Sequence, residues 1–477
     1  QVQRHFEALD QIDADNPWRE VQDEFTGDPT QFQERHYREF VTFLPRAQRF
    51  LYGERASRTG RKGYGDSPIR IYRRQDIRAV RVVLRPGDAP IELTVAHADL
   101  YFFFDVAIAI LVFELSCNDL PLAAAQEFMH RFGRGYPAGW NEAGEAEKCP
   151  ARVEWLDAEG RVLAVSDFAN REKFVASVCR HTAPAIAEHW EFLLQPMCPH
   201  HGERTDPLRF RQLEYYRMPS MVYLAVDDPC ALAQADCVRF ALSAASKEQA
   251  GLPYSQSYLR DFEHHYAYDR YHDPGRGGEC ADTRILCTGH NFVAVGDAHQ
   301  AAYTDPERGF LSQFRHQVFL LGLIAHFHRA AMLMVSDRLM TIISRLDIND
   351  IASVRDFRRD IRQTQEIFLR FTHRYWFSQV SDQPMAHDLF HMWSHNLSLN
   401  KLHADLREEL QDMLNYLDSD MMRRQSTAIV RLTVVTVMSI LGTVTTGVLG
   451  MNVFDEAAKP WHYRMALVIF SLVGTSF

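Results

Sequence analysis

Apolar and polar positions alternate in short stretches over the first part of the chain and recur at helical spacing over the rest. Phe32, Phe40, Phe43 and Leu44 share one side of a helix predicted over Gln31–Leu51. Period-two alternation in Ile69–Tyr72, Val80–Leu84 and Ile91–Val95 reads as strands. Val106–Phe113 is wholly apolar between Asp105 and Glu114. It is too short to cross a bilayer and reads as one or two buried strands. A helix over Asn118–Gly133 comes next. Then comes a hairpin pairing Val153–Trp155 with Val162–Ala164 through Asp157–Gly160, and a helix over Arg171–Leu194. Strands at Met221–Val226, Ile285–Cys287 and Phe292–Val295 complete a mixed α/β region that ends near residue 305. The last two strands are joined by Gly289-His290-Asn291, and Asp273–Gly278 is a Pro/Gly loop.

From residue 306 the pattern turns helical. Gly309–Ser344 carries the apolar segment Val318–Ala325, set between Arg315-His316 and His326/His328. About eight apolar residues make a packed helix, not a membrane span. A second helix is predicted over Val354–Phe377, so that 306–382 forms a helical region packing on a stalk helix that starts at residue 383. After Pro384 no proline intervenes before the next apolar run ends. This predicts one continuous helix of about seventy residues, on the order of 100 Å at 1.5 Å per residue. Its part before residue 432 reads as a stalk that packs against copies of itself.

The apolar run itself extends from Leu432 to Phe454 without a charge, between Arg431 and Asp455. Its length of roughly 23 residues suits a membrane span. Arg423, Arg424 and Arg431 precede it, and Asp455 and Glu456 come directly after it, which places the N-terminal region in the cytosol. Residues 455–463 form a short outer loop, with Lys459, Trp461, His462, Tyr463 and Arg464 as interface anchors. A second apolar run starts at Met465 and continues to Phe477, about thirteen residues, so the rest of a second span is expected beyond it. The two spans form a hairpin with both termini cytosolic. Within the first span Ile429, Leu432, Thr436, Ile440, Thr443 and Gly447 recur at three- and four-residue steps and form one uncharged face. Taken alone, such a face of threonine and glycine also suits a helix–helix contact within lipid.

Composition narrows the possibilities. The chain has 477 residues, 46% hydrophobic and 24% charged, with a formal charge of -10. Mean hydropathy is slightly negative, so any membrane part is small. The acidic balance argues against a nucleic-acid partner and is compatible with a cation ligand. The 8 cysteines are scattered with no Cys-x-x-Cys pair, as expected of reduced cytosolic thiols. Gln1–Asp28 is polar and has no signal peptide, and the missing initial Met suggests a start inside a longer reading frame. No catalytic constellation and no Gly-x-x-x-x-Gly-Lys-Ser/Thr stands out, and no cofactor is implied.

The tripeptide Gly450-Met451-Asn452 at the outer end of the first span resembles the signature of the CorA family of divalent-cation channels. The resemblance is specific over Pro384–Phe477 and covers the N-terminal region in coarse architecture alone. It implies a cytosolic α/β domain, a long stalk helix and a two-helix transmembrane hairpin. It also implies a homopentamer whose first span lines a pore. Carried over, Gly450, Met451 and Asn452 form the selectivity mouth. Thr443 is the pore-facing threonine, and Ile440, Leu432 and Ile429 fall on the hydrophobic constriction, with Thr436 on the same face. Asp455 and Glu456 stand in for the acidic outer loop. Leu449 and Leu441 depart from the usual aromatic and proline, and these departures bear on ion preference. The implied cargo is Mg2+, which gives up water reluctantly and prefers oxygen ligands.

In that family acidic pairs between cytosolic domains bind Mg2+ and hold the closed state. Asp388, Asp412, Asp418 and Asp420 are the candidates here, against the plainer reading of a solvated helix face. Cys198, His200 and His201 make a small soft-ligand group that would need Cys179 or His181 to complete a zinc site. His264-His265 and the basic loop Gly60-Arg61-Lys62-Gly63-Tyr64-Gly65 are weaker, the loop reading as surface. Two alternatives stay open. One is a Zn2+, Co2+ or Ni2+ transporter of the related ZntB type. The other is a cytosolic sensor or scaffold that the hairpin merely anchors.

Overall fold

The computed structural model describes residues 16–21, 33–53, 68–200, 209–213, 217–246, 252, 254–273, 282–347, 350–450 and 459–474. The chain divides into two compact units. The first comprises Gln1–Leu346 with Arg362–Leu406, and the second Asp347–Ile361 with Arg407–Phe477.

The first unit is α/β. Its larger sheet contains β1 (Trp18–Glu20), β2 (Ile69–Arg74), β3 (Ala79–Val83), β4 (Ile91–Phe103), β5 (Ile108–Ser116), β6 (Arg152–Leu156) and β7 (Val162–Val165) in the order β1-β2-β4-β3-β6-β7, with β5 also paired to β4. The 13 residues of β4 explain this branching. Its first half pairs with β3 (Ala79↔Thr94) and its second with β2 (Ile69↔Phe103), while β5 runs along its other edge. The expected β6–β7 hairpin forms through Asp157–Gly160, with Glu154 opposite Val165. β5 is half-buried, not buried as its apolar run suggests, because it pairs with β4 alone among the described strands.

A second sheet contains β8 (Ser220–Val226), β9 (Ala267–Tyr268), β10 (Arg284–Cys287) and β11 (Asn291–Asp297) in the order β8-β11-β10-β9. β8 and β11 are parallel, and β10 and β11 form the hairpin expected from Gly289-His290-Asn291.

Two predicted helices are each divided. Gln31–Leu51 resolves into α1 (Glu34–Thr42) and α2 (Pro45–Tyr52), because the residue before Pro45 is forced to extended backbone. Gln31 and Phe32 lie outside the described residues. After α3 (Leu122–Arg131), Arg171–Leu194 resolves into α4 (Arg171–His181) and α5 (Glu188–Leu194). Thr182 adopts the left-handed conformation at φ 53, and Pro184 then prevents continuation. α6 (Gln234–Leu242) and α7 (Gln256–Tyr266) cover the second sheet.

The predicted helix over Gly309–Ser344 begins at Phe310–Gln313, loosens to a π-turn at Phe314–Val318 and continues as α8 (Phe319–Ser344). It is the packed helix that the sequence implies. Phe327 stacks on Phe103 with ring centroids 4.1 Å apart and meets Phe50 at 5.2 Å. α9 (Ile351–Arg370) ends in a second π-turn, Phe371–Tyr375.

The continuous helix of about seventy residues does not form. α10 (Pro384–Asn396) stops, and α11 (Leu399–Gly450) restarts after Ser398 turns left-handed at φ 54. Neither proline nor glycine causes the break. Tertiary contacts do. Asn396 donates to the Cys287 carbonyl at 2.8 Å, and Leu397 and Leu399 are buried. Gly322 leaves room for Trp393 of α10, whose ring would stand 3.2 Å from an added Cβ. α11 still has 52 residues, about 78 Å of helix. α12 (Trp461–Gly474) is the last helix described.

Candidate functional site

The site is built on the second half of α11, where Gln425–Gly447 is long and apolar enough to cross a membrane. Its 23 residues extend about 35 Å, against a hydrocarbon core of about 30 Å. A soluble helix this apolar would need a partner on nearly every side. Here Val430, Val434, Val435, Val437 and Met438 are all exposed within the single chain. A surface of that size belongs in lipid or against other copies.

Cover from the chain itself is confined to one side, where Leu441 is half-buried and Thr445 buried. The opposite side is the stripe expected to line a pore. Ile429 is 63% exposed, Leu432 66% and Ile440 56%, with Thr436, Thr443 and Gly447 also exposed. Five threonine hydroxyl protons on this helix are already used. Thr436 donates to the Leu432 carbonyl and Thr443 to the Ser439 carbonyl, each at 2.8 Å, and Thr433, Thr445 and Thr446 bond back in the same way. These bonds lower the cost of carrying hydroxyls into lipid. They also leave oxygen lone pairs free to meet a hydrated cation, and no charged group on the stripe would hold that cation tightly.

Gly450 closes α11 and is exposed. Met451, Asn452, Asp455 and Glu456 lie outside the described residues. Asp412 and Asp418 are exposed on α11, and Asp420 lies in the same helix. Asp388 is elsewhere, on α10, where it accepts from the Tyr268 hydroxyl at 3.2 Å and stands 3.6 Å from the Arg270 guanidinium. It is therefore engaged within its own unit. Among the described residues no group of three or more His, Cys, Asp or Glu side chains could hold a metal ion. Cys198 is buried and His200 exposed, while Cys179 and His181 are exposed at the end of α4, so no soft-metal cluster forms from them. His201 and the loop from Gly60 to Gly65 lie outside the described residues. His264 and His265 present their rings at 90° to each other.

Two features escaped the sequence reading. His391 and His395 stack at 6.5 Å on the exposed side of α10. A row of arginines, Arg355, Arg359 and Arg362, runs along the exposed side of α9. Both were visible as three- and four-residue spacings.

Residues 335–477 match the family model described as CorA-like Mg2+ transporter protein. No curated protein and no solved structure matches the chain. The matched part runs from within α8 through α12, and it is CorA-like. Both sheets precede it.

Proposed function

We propose that this chain is a subunit of a membrane channel that passes divalent cations, most readily Mg2+, down their electrochemical gradient. The observation that carries this reading is the uncharged stripe Ile429–Leu432–Thr436–Ile440–Thr443, uncovered by its own chain within the CorA-like part. Copies arranged as a homopentamer turn that stripe to a common axis. Asn452 carboxamides form the outer mouth beside Gly450 and Met451, and they hold the ion through its water shell. Neutral dipoles release it again, and the aliphatic collar of Ile429, Leu432 and Ile440 gates by dewetting. Asp455 and Glu456 draw cations to the entrance, and the N-terminal unit stays in the cytosol. The membrane potential supplies about 4.6 kcal/mol per 100 mV for a divalent ion. Asp418 and Asp420 are candidate regulatory ligands between copies, with Mg2+ as the ion sensed.

Methionine at 451 favours Mg2+ over the Zn2+ preference of the ZntB type. The anchored-sensor reading draws on the size of the region that precedes the family match. Flux of Mg2+ into liposomes containing the purified chain separates the two. Asn452→Ala is expected to abolish flux while assembly persists. Normal flux through that variant would refute the role given to the mouth, and wild-type liposomes without flux of Mg2+, Zn2+ or Co2+ would leave the anchor reading standing.

A further inference from the structure

The stripe that faces the proposed axis does not stop at the membrane. Stepped at three and four residues, it continues back from Ile429 through Gln425, Met422, Asp418 and Asn415 to Gln411, all exposed. A helix that turns this stripe inward has two flanks. One is closed by its own chain, since Leu410 and Leu417 are 3% and 4% exposed there. The remaining apolar side chains buried in this unit are Val354, Phe357 and Ile361, on α9. Among the described residues these are the apolar side chains of the unit that its own chain buries.

The other flank is acidic and bare. Glu408, Glu409 and Asp412, with Asp405 one turn earlier, are exposed and have no ion-pair partner among the described residues. α9 presents the opposite charge on the side away from its buried residues. Arg355, Arg359 and Arg362 are spaced i, i+4, i+7 and exposed. Arg355 and Arg362 have no ion-pair partner among the described residues, and Arg359 meets Asp356 and Asp360 of its own helix at 3.0 and 3.1 Å. Each row spans up to two helical turns, roughly 10 Å.

We propose that the arginine row of α9 docks on the acidic row Glu408–Glu409–Asp412 of α11 in the next copy of this chain. The contact is heterologous, with different surfaces of the two copies meeting, which is the kind of contact that a closed ring repeats from copy to copy. This rests on the channel reading, because it takes the stripe as facing a shared axis. A second copy fits better than a polyanion. Asp356 and Asp360 interrupt the arginine row, and the complementary charges sit on the same molecule.

Exposed ion pairs add little stability singly, but like charges forced together across an interface are strongly unfavourable. The full chain in detergent is sized by light scattering as wild type, as Arg355→Glu/Arg359→Glu, as Glu408→Arg/Asp412→Arg, and with all four changes. Each pair variant is expected to lose the assembled species, while thermal unfolding of the first unit stays unchanged. The four-fold variant is expected to recover assembly. In an otherwise wild-type chain, Arg359→Cys with Asp412→Cys is expected to give cross-linked ladders with a short bismaleimide that neither single change gives. Pair variants that assemble like wild type, a monomeric wild type, or absent cross-links would each overturn the proposal. Wild-type flux with swap-insensitive assembly would sink this surface and leave transport intact. Swap-sensitive assembly without any flux would do the reverse.

Discussion

Phe310–Ser344 in the first unit and Gln425–Gly447 in the second both have the length and apolar character of a membrane span, yet 67% of the most apolar stretch of the former is buried in protein and the latter is bare on most sides. The polar groups set among the apolar ones account for the difference. Arg315 pairs with Glu114 at 2.7 Å, His316 with Glu39 at 3.2 Å and Asp337 with Arg211 at 2.7 Å. His328 bonds the Tyr375 carbonyl at 2.6 Å. These groups need partners from several elements, and a folded core supplies them. Beyond Arg431 the later helix has only hydroxyls as polar side chains, and its threonines bond back to their own helix. Apolar length by itself does not tell a core helix from a span, whereas the destination of its polar groups does.

The largest expected effect tests the buried side of this contrast. Phe327→Ala removes a ring packed among Phe103, Phe50 and Phe371. It should cost the first unit about 3–5 kcal/mol in urea unfolding monitored by tryptophan fluorescence. Met438→Ala, 66% exposed on the bare helix, should cost that unit no more than about 0.5 kcal/mol in the same assay. Equal losses would break the comparison.

A smaller effect sharpens it. Burial holds the His328 imidazole down to about 3, partly opposed by its bond to the Tyr375 carbonyl. As pH falls from about 6.5 towards 3, the unfolded chain takes up a proton that the folded one refuses. Stability should therefore fall with acid by up to about 1.4 kcal/mol per pH unit in that window, with no contribution above it. His328→Phe should flatten the slope. His189, buried and also held down to about 3, adds a second such contribution. An unchanged slope in His328→Phe would mean that the ring is hydrated or protonated in the fold.

Much of the first unit was legible from local signals. The β6–β7 and β10–β11 hairpins arise from alternation and turn residues, and Pro45 and Pro184 mark helix breaks that the apolar spacing obscured. The break at Ser398 was not legible. It depends on Asn396 reaching Cys287, a contact across 109 residues, in a segment without proline or glycine. The branching of β4 was likewise hidden, since three strands share its edges only once the sheet is assembled. For the site, the apolar run and its threonine spacing were read directly. Gly450-Met451-Asn452 was legible as a motif and not as geometry, because a short polar end on an apolar helix says little about where its side chains point. The arginine row of α9 had a clear spacing, but its meaning emerges only beside the bare acidic face of α11.

The most direct test of the channel reading is which side of the Gln425–Gly447 helix meets water in the assembled protein. Single cysteines placed at Thr436, Thr443, Val434 and Met438, in lipid vesicles, would be treated with a charged thiol reagent supplied on both sides. A shared aqueous axis predicts labelling at positions 436 and 443 and protection at 434 and 438. Equal protection at all four, or labelling confined to 434 and 438, would contradict it.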